Sequence, residues 1–233
     1  MRSSSTTVMH EYCRIAIEEY YEDTIKTYSN EVFVHEYAHR LFPRRRLPVW
    51  RGLSRFMRTL RPGARVLDVG CGTGKDVQVL RSRGYMAEGV DISEEMIGWA
   101  RSNVGDFFRN VDLRDIRPIE AERFEGIISL AVLQHIHRSD IHLALRNMSS
   151  LLCDGGTMYL LTKQGEGEYW DTRFGNDFRR ATTLYSRCEI LGMLGMLGFS
   201  VEFEESFSLL REGSRDCWLA LLGRKVANGS GDQ

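Results

Sequence analysis

From Arg65 onward the chain repeats one pattern: a short apolar run, a turn, then a longer segment with apolar residues three and four apart. That alternation predicts strands separated by helices, assembled as a parallel sheet with helices on both faces. The predicted strands are residues 65–69, 86–91, 107–111, 126–130 and 157–162, and the predicted helices are 76–83, 93–102, 139–152 and 187–197. Two last strands, 200–204 and 217–222, follow one another without a helix, which predicts an antiparallel hairpin closing the sheet. Upstream, residues 10–41 lack proline and glycine and read as helical. Residues 49–60 put Leu53, Phe56, Met57 and Leu60 on one side and Arg51, Arg55 and Arg58 on the other, an amphipathic helix. The fold class expected is α/β, a doubly wound, mostly parallel sheet of seven strands.

Composition changes this picture little. With 233 residues, 42% hydrophobic, 27% charged and four prolines, the chain suits one domain with a helical extension and excludes collagen-like or disordered readings. The division expected is a helical extension over 1–61, the α/β domain over 62–226 and a frayed tail over 227–233. The longest apolar stretch, around GIISLAVL, falls far short of the roughly 20 residues that span a bilayer, and MRSSSTT holds no signal-peptide core. A cytoplasmic protein without membrane association is the expectation. Five cysteines without CxxC spacing argue against a zinc site or disulfide framework, so no metal is expected.

Charge is uneven. Between Tyr37 and Leu67 there is no acidic residue, but nine arginines stand at positions 40, 44, 45, 46, 51, 55, 58, 61 and 65; against a net charge of −1, the rest of the chain carries about −10. The block from Arg40 to Arg65 is therefore either an exposed helix face or a phosphate-binding surface.

The candidate chemistry begins at Val66-Leu67-Asp68-Val69-Gly70-Cys71-Gly72-Thr73-Gly74, where an apolar strand enters a glycine loop and then a helix. This places the loop at the carboxyl edge of the sheet, where open α/β folds bind ligands. A dinucleotide fingerprint would need glycine where Lys75 stands, and a Walker loop would need Ser or Thr where Asp76 stands. Asp68 would repel a pyrophosphate but favour an ammonium group. Some twenty residues on, Asp91 ends the second strand, where a carboxylate can accept hydrogen bonds from both hydroxyls of a ribose. A ribose and an ammonium group together match S-adenosyl-L-methionine.

On these residues the chain resembles the class I S-adenosylmethionine-dependent methyltransferases over roughly 62–224. LDVGCGTG, GVDIS, the Val111-Asp112-Leu113 step, FEGIISLAVLQHI and DGG carry the resemblance, with Glu125 where the family usually has aspartate. It implies a Rossmann-like domain under an N-terminal helical lid. It also implies that Asp68, Gly70, Gly72 and Gly74 border the methionine part of the cofactor, that Asp91 holds the ribose, that Asp112 and Leu113 meet the adenine, and that Cys71, Ile92 and Leu130 also contact the cofactor.

Methyl transfer from a sulfonium is an in-line displacement that needs alignment, dryness and, for some acceptors, a base. His135 and His137, after the fourth strand, are the candidate bases, with a pKa near neutrality expected; either is also an ordinary cap or surface histidine. Lys163-Gln164-Gly165-Glu166-Gly167-Glu168 reads as a loop, and similar segments in related methyltransferases would face the acceptor, so Glu166 and Glu168 are candidate substrate contacts. Tyr21 and Tyr28 lie seven apart on one helical face and resemble a tyrosine pair that covers the ligand in small-molecule methyltransferases. The activity implied is methylation of O, N or C on a small metabolite. The alternatives are RNA methylation through the arginine block and a non-catalytic binding subunit. Oligomeric state and acceptor identity are not written in the sequence.

Overall fold

The computed structural model describes residues 17–39, 47–116, 123–211 and 214–226. Two helices open the described chain, α1 (Ile17–Tyr28) and α2 (Glu31–His39), and α3 (Leu47–Thr59) leads into the sheet. The strands are β1 (Arg65–Val69), β2 (Met86–Asp91), β3 (Phe108–Asn110), β4 (Phe124–Leu130), β5 (Leu152–Lys163), β8 (Phe199–Arg211) and β9 (Ser214–Lys225), with β6 (Glu168–Asp171) and β7 (Arg180–Thr183) forming a separate pair. The remaining helices are α4 (Lys75–Ser82), α5 (Glu94–Asn103), α6 (Ile141–Leu151) and α7 (Arg187–Met196).

The seven-stranded sheet runs β3-β2-β1-β4-β5-β9-β8, parallel from β3 to β5, with β9 antiparallel to β5 and to β8. The order reverses between β1 and β4, which opens a crevice beyond the carboxyl ends of those two strands. The pleat divides the core. Leu67, Val69, Ile127, Met158 and Leu160 face α6 and α7, while Val66, Ile128, Tyr159 and Leu161 face α3, α4 and α5. Two helices start at the caps their sequence advertises: Ser93 Oγ accepts from Met96 N at 3.0 Å, and Ser186 with Glu189 forms a full capping box.

Four features depart from the sequence expectation. First, α3 does not join a lid: Leu53, Phe56 and Met57 are buried against the sheet, so closely that a Cβ on Gly52 would stand 2.2 Å from the Tyr159 hydroxyl and one on Gly126 2.6 Å from Phe56 Cζ. Among the described residues, α1 and α2 remain as cover for the crevice. Second, β5 starts at Leu152, directly after α6, and the expected Asp154-Gly155-Gly156 turn is absorbed as an irregularity in its pairing with β4. Third, the glycine-rich segment after Lys163 is not only a loop. It enters the β6–β7 hairpin, onto which α1 is fastened by Ala181 N donating to Thr24 Oγ1 at 2.9 Å, Thr27 Oγ1 to the Arg179 carbonyl at 2.8 Å, and Arg179 to Glu19 at 3.0 Å. The end strands β8 and β9 are also longer than expected, because their alternation continues past the apolar stretch into charged residues. Among the described residues no helix is long and apolar enough to cross a membrane.

Candidate functional site

The crevice is a cleft of about 860 Å³, part of it open to solvent at the mouth. Its floor is the glycine loop after β1 and the ends of β2 and β4; its roof is α1, with Tyr21, Thr24, Ile25 and Tyr28 facing inward. Gly70 and Gly72 line it, and Gly70 is required on two counts. Its φ is +72°, and a Cβ there would stand 2.2 Å from Val132 Cγ2. The loop is pinned to the sheet by Gly70 N and Cys71 N, both donating to the Val90 carbonyl, at 2.8 and 3.0 Å.

Asp91 ends β2 inside the cleft. One carboxylate oxygen accepts from Gly72 N at 2.8 Å and the other from Ser93 N at 3.0 Å, so the side chain joins the glycine loop to the start of α5. Burial raises its pKa above the ordinary carboxylate value, partly offset by the backbone donors at Ser93, Gly72 and Ile92. Each oxygen keeps acceptor capacity for a ligand hydroxyl. Ile92, Leu113 and Leu130 also line the cleft.

Asp112 lines the cleft too, but its carboxylate is gripped by Arg114, Oδ1 and Oδ2 each 3.0 Å from Nε, and the Arg114 guanidinium lies 3.8 Å over the Tyr21 ring. An arginine two residues after Asp112 is the one local signal of this clamp. Asp68, Cys71 and Gly74 stand apart from the cleft lining. Asp68 is 2% exposed, on the Val66 side of the pleat. Cys71 is buried where a Cβ on Gly89 would meet its Sγ at 2.7 Å, and burial raises its thiol pKa. Gly74 gives room to Phe108, 2.5 Å from where its Cβ would be. These three shape the loop from beneath.

The two histidines part company. His135 lines the cleft within a 3₁₀ turn, Leu133–His135, that follows Ala131, whose φ of +63° is the one left-handed non-glycine conformation among the described residues. Its Nδ1–H donates to the Ala181 carbonyl at 2.8 Å, so the neutral ring presents Nε2 as acceptor to the Tyr28 hydroxyl at 3.1 Å. Burial, with Arg180 nearby, pushes its pKa down to about 3, which replaces the near-neutral base expected from sequence. His137 lies outside the cleft, bonded to Ser139 Oγ at 2.8 Å and 3.5 Å from Glu168; its backbone N–H donates to Tyr21 Oη at 3.0 Å. Tyr21 in turn donates to Asp140 Oδ2 at 2.6 Å. Neither Glu166 nor Glu168 lines the cleft: Glu166 is exposed, and Glu168 accepts from Thr183 Oγ1 at 3.1 Å.

Sequence reasoning passed over a charged cluster behind Tyr28. Lys163, Asp171 and Arg180 are each 5% exposed or less, and Asp171 lies 3.8 Å from Lys163 Nζ, 2.6 Å from Arg173 Nη2 and 2.9 Å from Arg180 Nη2. Burial and Arg173 lower Lys163 to about 8, while Arg173 and the other cations hold Asp171 well below the usual carboxylate range despite its burial. The only hint in the sequence was basic residues within otherwise strand-like segments.

Of the arginine block, Arg40, Arg44, Arg45 and Arg46 lie outside the described residues. Arg51 pairs with Glu205, Arg61 with Glu125 and Arg65 with Glu88, while Arg55 lies over the Phe203 ring and Arg58 is exposed. Those three ion pairs compete with phosphate for the same guanidinium groups. Among the described residues no group of three or more His, Cys, Asp and Glu side chains could hold a metal ion.

A family model described as a methyltransferase domain matches residues 35–202. A ubiquinone biosynthesis O-methyltransferase of Xanthomonas campestris pv. campestris (strain B100) is 32% identical over 106 residues, 43% of this chain and 44% of that protein, so the alignment covers less than half of the relative. Among solved structures, a DhpI–SAH complex superposes with a TM-score of 0.69 at 21% identity, over 91% of this chain and 100% of that one. A 1,6-didemethyltoxoflavin-N1-methyltransferase of Burkholderia thailandensis, with bound 1,6-didemethyltoxoflavin and S-adenosylhomocysteine, does so with 0.67 at 18% identity, over 92% of each chain.

Proposed function

We propose that this chain, which belongs to the methyltransferase-domain family, transfers the methyl group of S-adenosylmethionine to a small-molecule acceptor. The observation that carries the reading is Asp91, a carboxylate at a strand end, braced by Gly72 and Ser93 and facing a cleft roofed by tyrosines. A ribose fits its remaining acceptor capacity, and the bare Gly70–Gly72 backbone leaves room for the methionine part. Leu113 and Val111 suit one face of an adenine, while Asp112 reaches its amino group only in competition with Arg114.

Bound there, S-adenosylmethionine supplies a sulfonium-activated methyl group, so the protein's work is alignment and exclusion of water. Tyr21 and Tyr28 close the roof, and their rings offer a cation attraction on the order of 0.5–2 kcal/mol. His135 stays neutral and fixes the Tyr28 hydroxyl; it orients the wall of the acceptor site and is poorly suited to take a proton. The small-molecule acceptor is supported by the O-methyltransferase relatives and the N1-methyltransferase neighbour, and by a roof that encloses the cleft. RNA is less well supported, because three of the described arginines already hold carboxylates.

Calorimetric titration with S-adenosylhomocysteine tests the reading. One-to-one binding is expected, and absence of measurable binding by folded protein contradicts it.

A further inference from the structure

Arg180 sits on β7 at 5% exposure, behind the cleft wall and outside its lining. Its Nη2 donates to Asp171 at 2.9 Å and its Nη1 to the Tyr28 hydroxyl at 3.1 Å, with the Phe174 and Phe33 rings 4.6 and 5.8 Å from its Cζ. A buried charge is costly, and an apolar side chain of similar volume fills such a space without that penalty. What a guanidinium adds is direction, because it donates hydrogen bonds and accepts none.

That direction propagates. Arg180 Nη1–H is necessarily the donor toward Tyr28, so Tyr28 Oη accepts on that side and its one proton is left for His135 Nε2, 3.1 Å away. His135 then accepts at Nε2 and donates from Nδ1, and the Ala181 carbonyl, which only accepts, stands 2.8 Å from Nδ1. Arg180 and Ala181, adjacent on β7, therefore impose the same proton order from the two ends of the run. A second proton on His135 has only Nε2 to occupy, where it displaces the Tyr28 proton from its bond. Around the ring stand Tyr28 on α1, Arg180 on β7, Asp171 on β6 and Lys163 on β5; the two cations oppose that proton and Asp171 favours it.

We propose that Arg180 is a positioning residue for methyl transfer: by filling the acceptor side of the Tyr28 hydroxyl it commits the Tyr28 proton to His135 Nε2, and so holds the Tyr28 ring over the cleft against the His135 ring. Arg180 acts through Tyr28. This inference rests on the methyl-transfer reading, in that Tyr28 and His135 line the cleft assigned to S-adenosylmethionine.

The test has two parts, both on the full chain. Nitrogen-15 NMR of the histidine rings, assigned with His135→Asn, reads the proton order in the unsubstituted protein. At about pH 6 the His135 ring is expected to carry one proton, on Nδ1. A proton on Nε2, in either the other tautomer or an imidazolium, overturns the proposal. A double-mutant cycle then reads whether Arg180 acts through Tyr28. Arg180→Met is expected to weaken S-adenosylhomocysteine binding at least about threefold in the otherwise unsubstituted protein and not at all on a Tyr28→Phe background, while Arg180→Lys, which keeps the charge and a donor, retains most of the affinity. No loss in the first background, or equal losses in both, overturns the proposal. Circular dichroism shows whether the variants are folded, and the NMR reading does not depend on them. If the unsubstituted protein fails to bind S-adenosylhomocysteine, the methyl-transfer reading falls, and the NMR reading still decides the proton order.

Discussion

The Tyr28 hydroxyl lies 3.1 Å from His135 Nε2, and His135 donates its other ring proton to the Ala181 carbonyl at 2.8 Å, so roof, floor and the β6–β7 hairpin meet at one neutral imidazole. The unfolded ring titrates near 6.5 and the folded one near 3, so the unfolded state binds the extra proton between those values. Stability from this group is complete above about pH 6.5 and declines as pH falls toward 3, with a loss of up to about 2 kcal/mol by pH 5. Thermal melts across pH should show that acid limb, and His135→Asn should flatten it. For the same reason kcat should show no His135 inflection between about pH 5.5 and 7.5.

Asp91→Ala removes the ribose acceptor and the brace between Gly72 and Ser93 together. Affinity for S-adenosylhomocysteine should fall at least tenfold, about 1.4 kcal/mol, as read by calorimetry. Unchanged affinity contradicts the ribose assignment.

Two glycine-to-alanine substitutions separate site from scaffold. Gly70→Ala sets a Cβ into Val132 at a positive φ on the cleft floor, and should abolish cofactor binding. Gly52→Ala drives α3 off Tyr159 and should lower stability by about 1–3 kcal/mol in a denaturant titration, with affinity in the surviving folded protein little changed. Loss of affinity at Gly52→Ala without destabilisation would mean that α3 belongs to the lid.

How much of this the sequence disclosed depends on range. Strands β1, β2 and β4 are legible from local alternation, Gly70, Gly72 and Asp91 from glycine spacing and the strand end, and Tyr21 and Tyr28 from helical period, whereas Leu113, Leu130 and His135, which also line the cleft, enter only through the resemblance to class I methyltransferases. What was hidden depends on contacts far apart in the chain. The Arg180–Tyr28 bond joins residues 152 positions apart, and the hairpin carrying Arg180 has strands too short and too polar to announce themselves. The low pKa of His135 comes from burial that no local pattern encodes. Asp68, Cys71 and Gly74 sit in the right motif, but the pleat and the turn direct them under the loop rather than into the cleft.

Arg114 lies over Tyr21 at 3.8 Å while gripping Asp112 and thus ties the roof to the floor. Arg114→Ala removes a cation–π contact on the order of 0.5–2 kcal/mol, so dissociation of S-adenosylhomocysteine, followed by stopped-flow, should quicken about 2- to 30-fold. An unchanged rate would mean that the clamp does not hold the roof closed.

The most direct measurement is a crystal structure of the chain with S-adenosylhomocysteine. The account predicts both ribose hydroxyls within hydrogen-bonding distance of the Asp91 carboxylate, with the sulfur near the Gly70–Gly72 loop beneath Tyr28. A ligand seated elsewhere, or a cleft closed by its own side chains while the ligand binds outside it, would contradict the account.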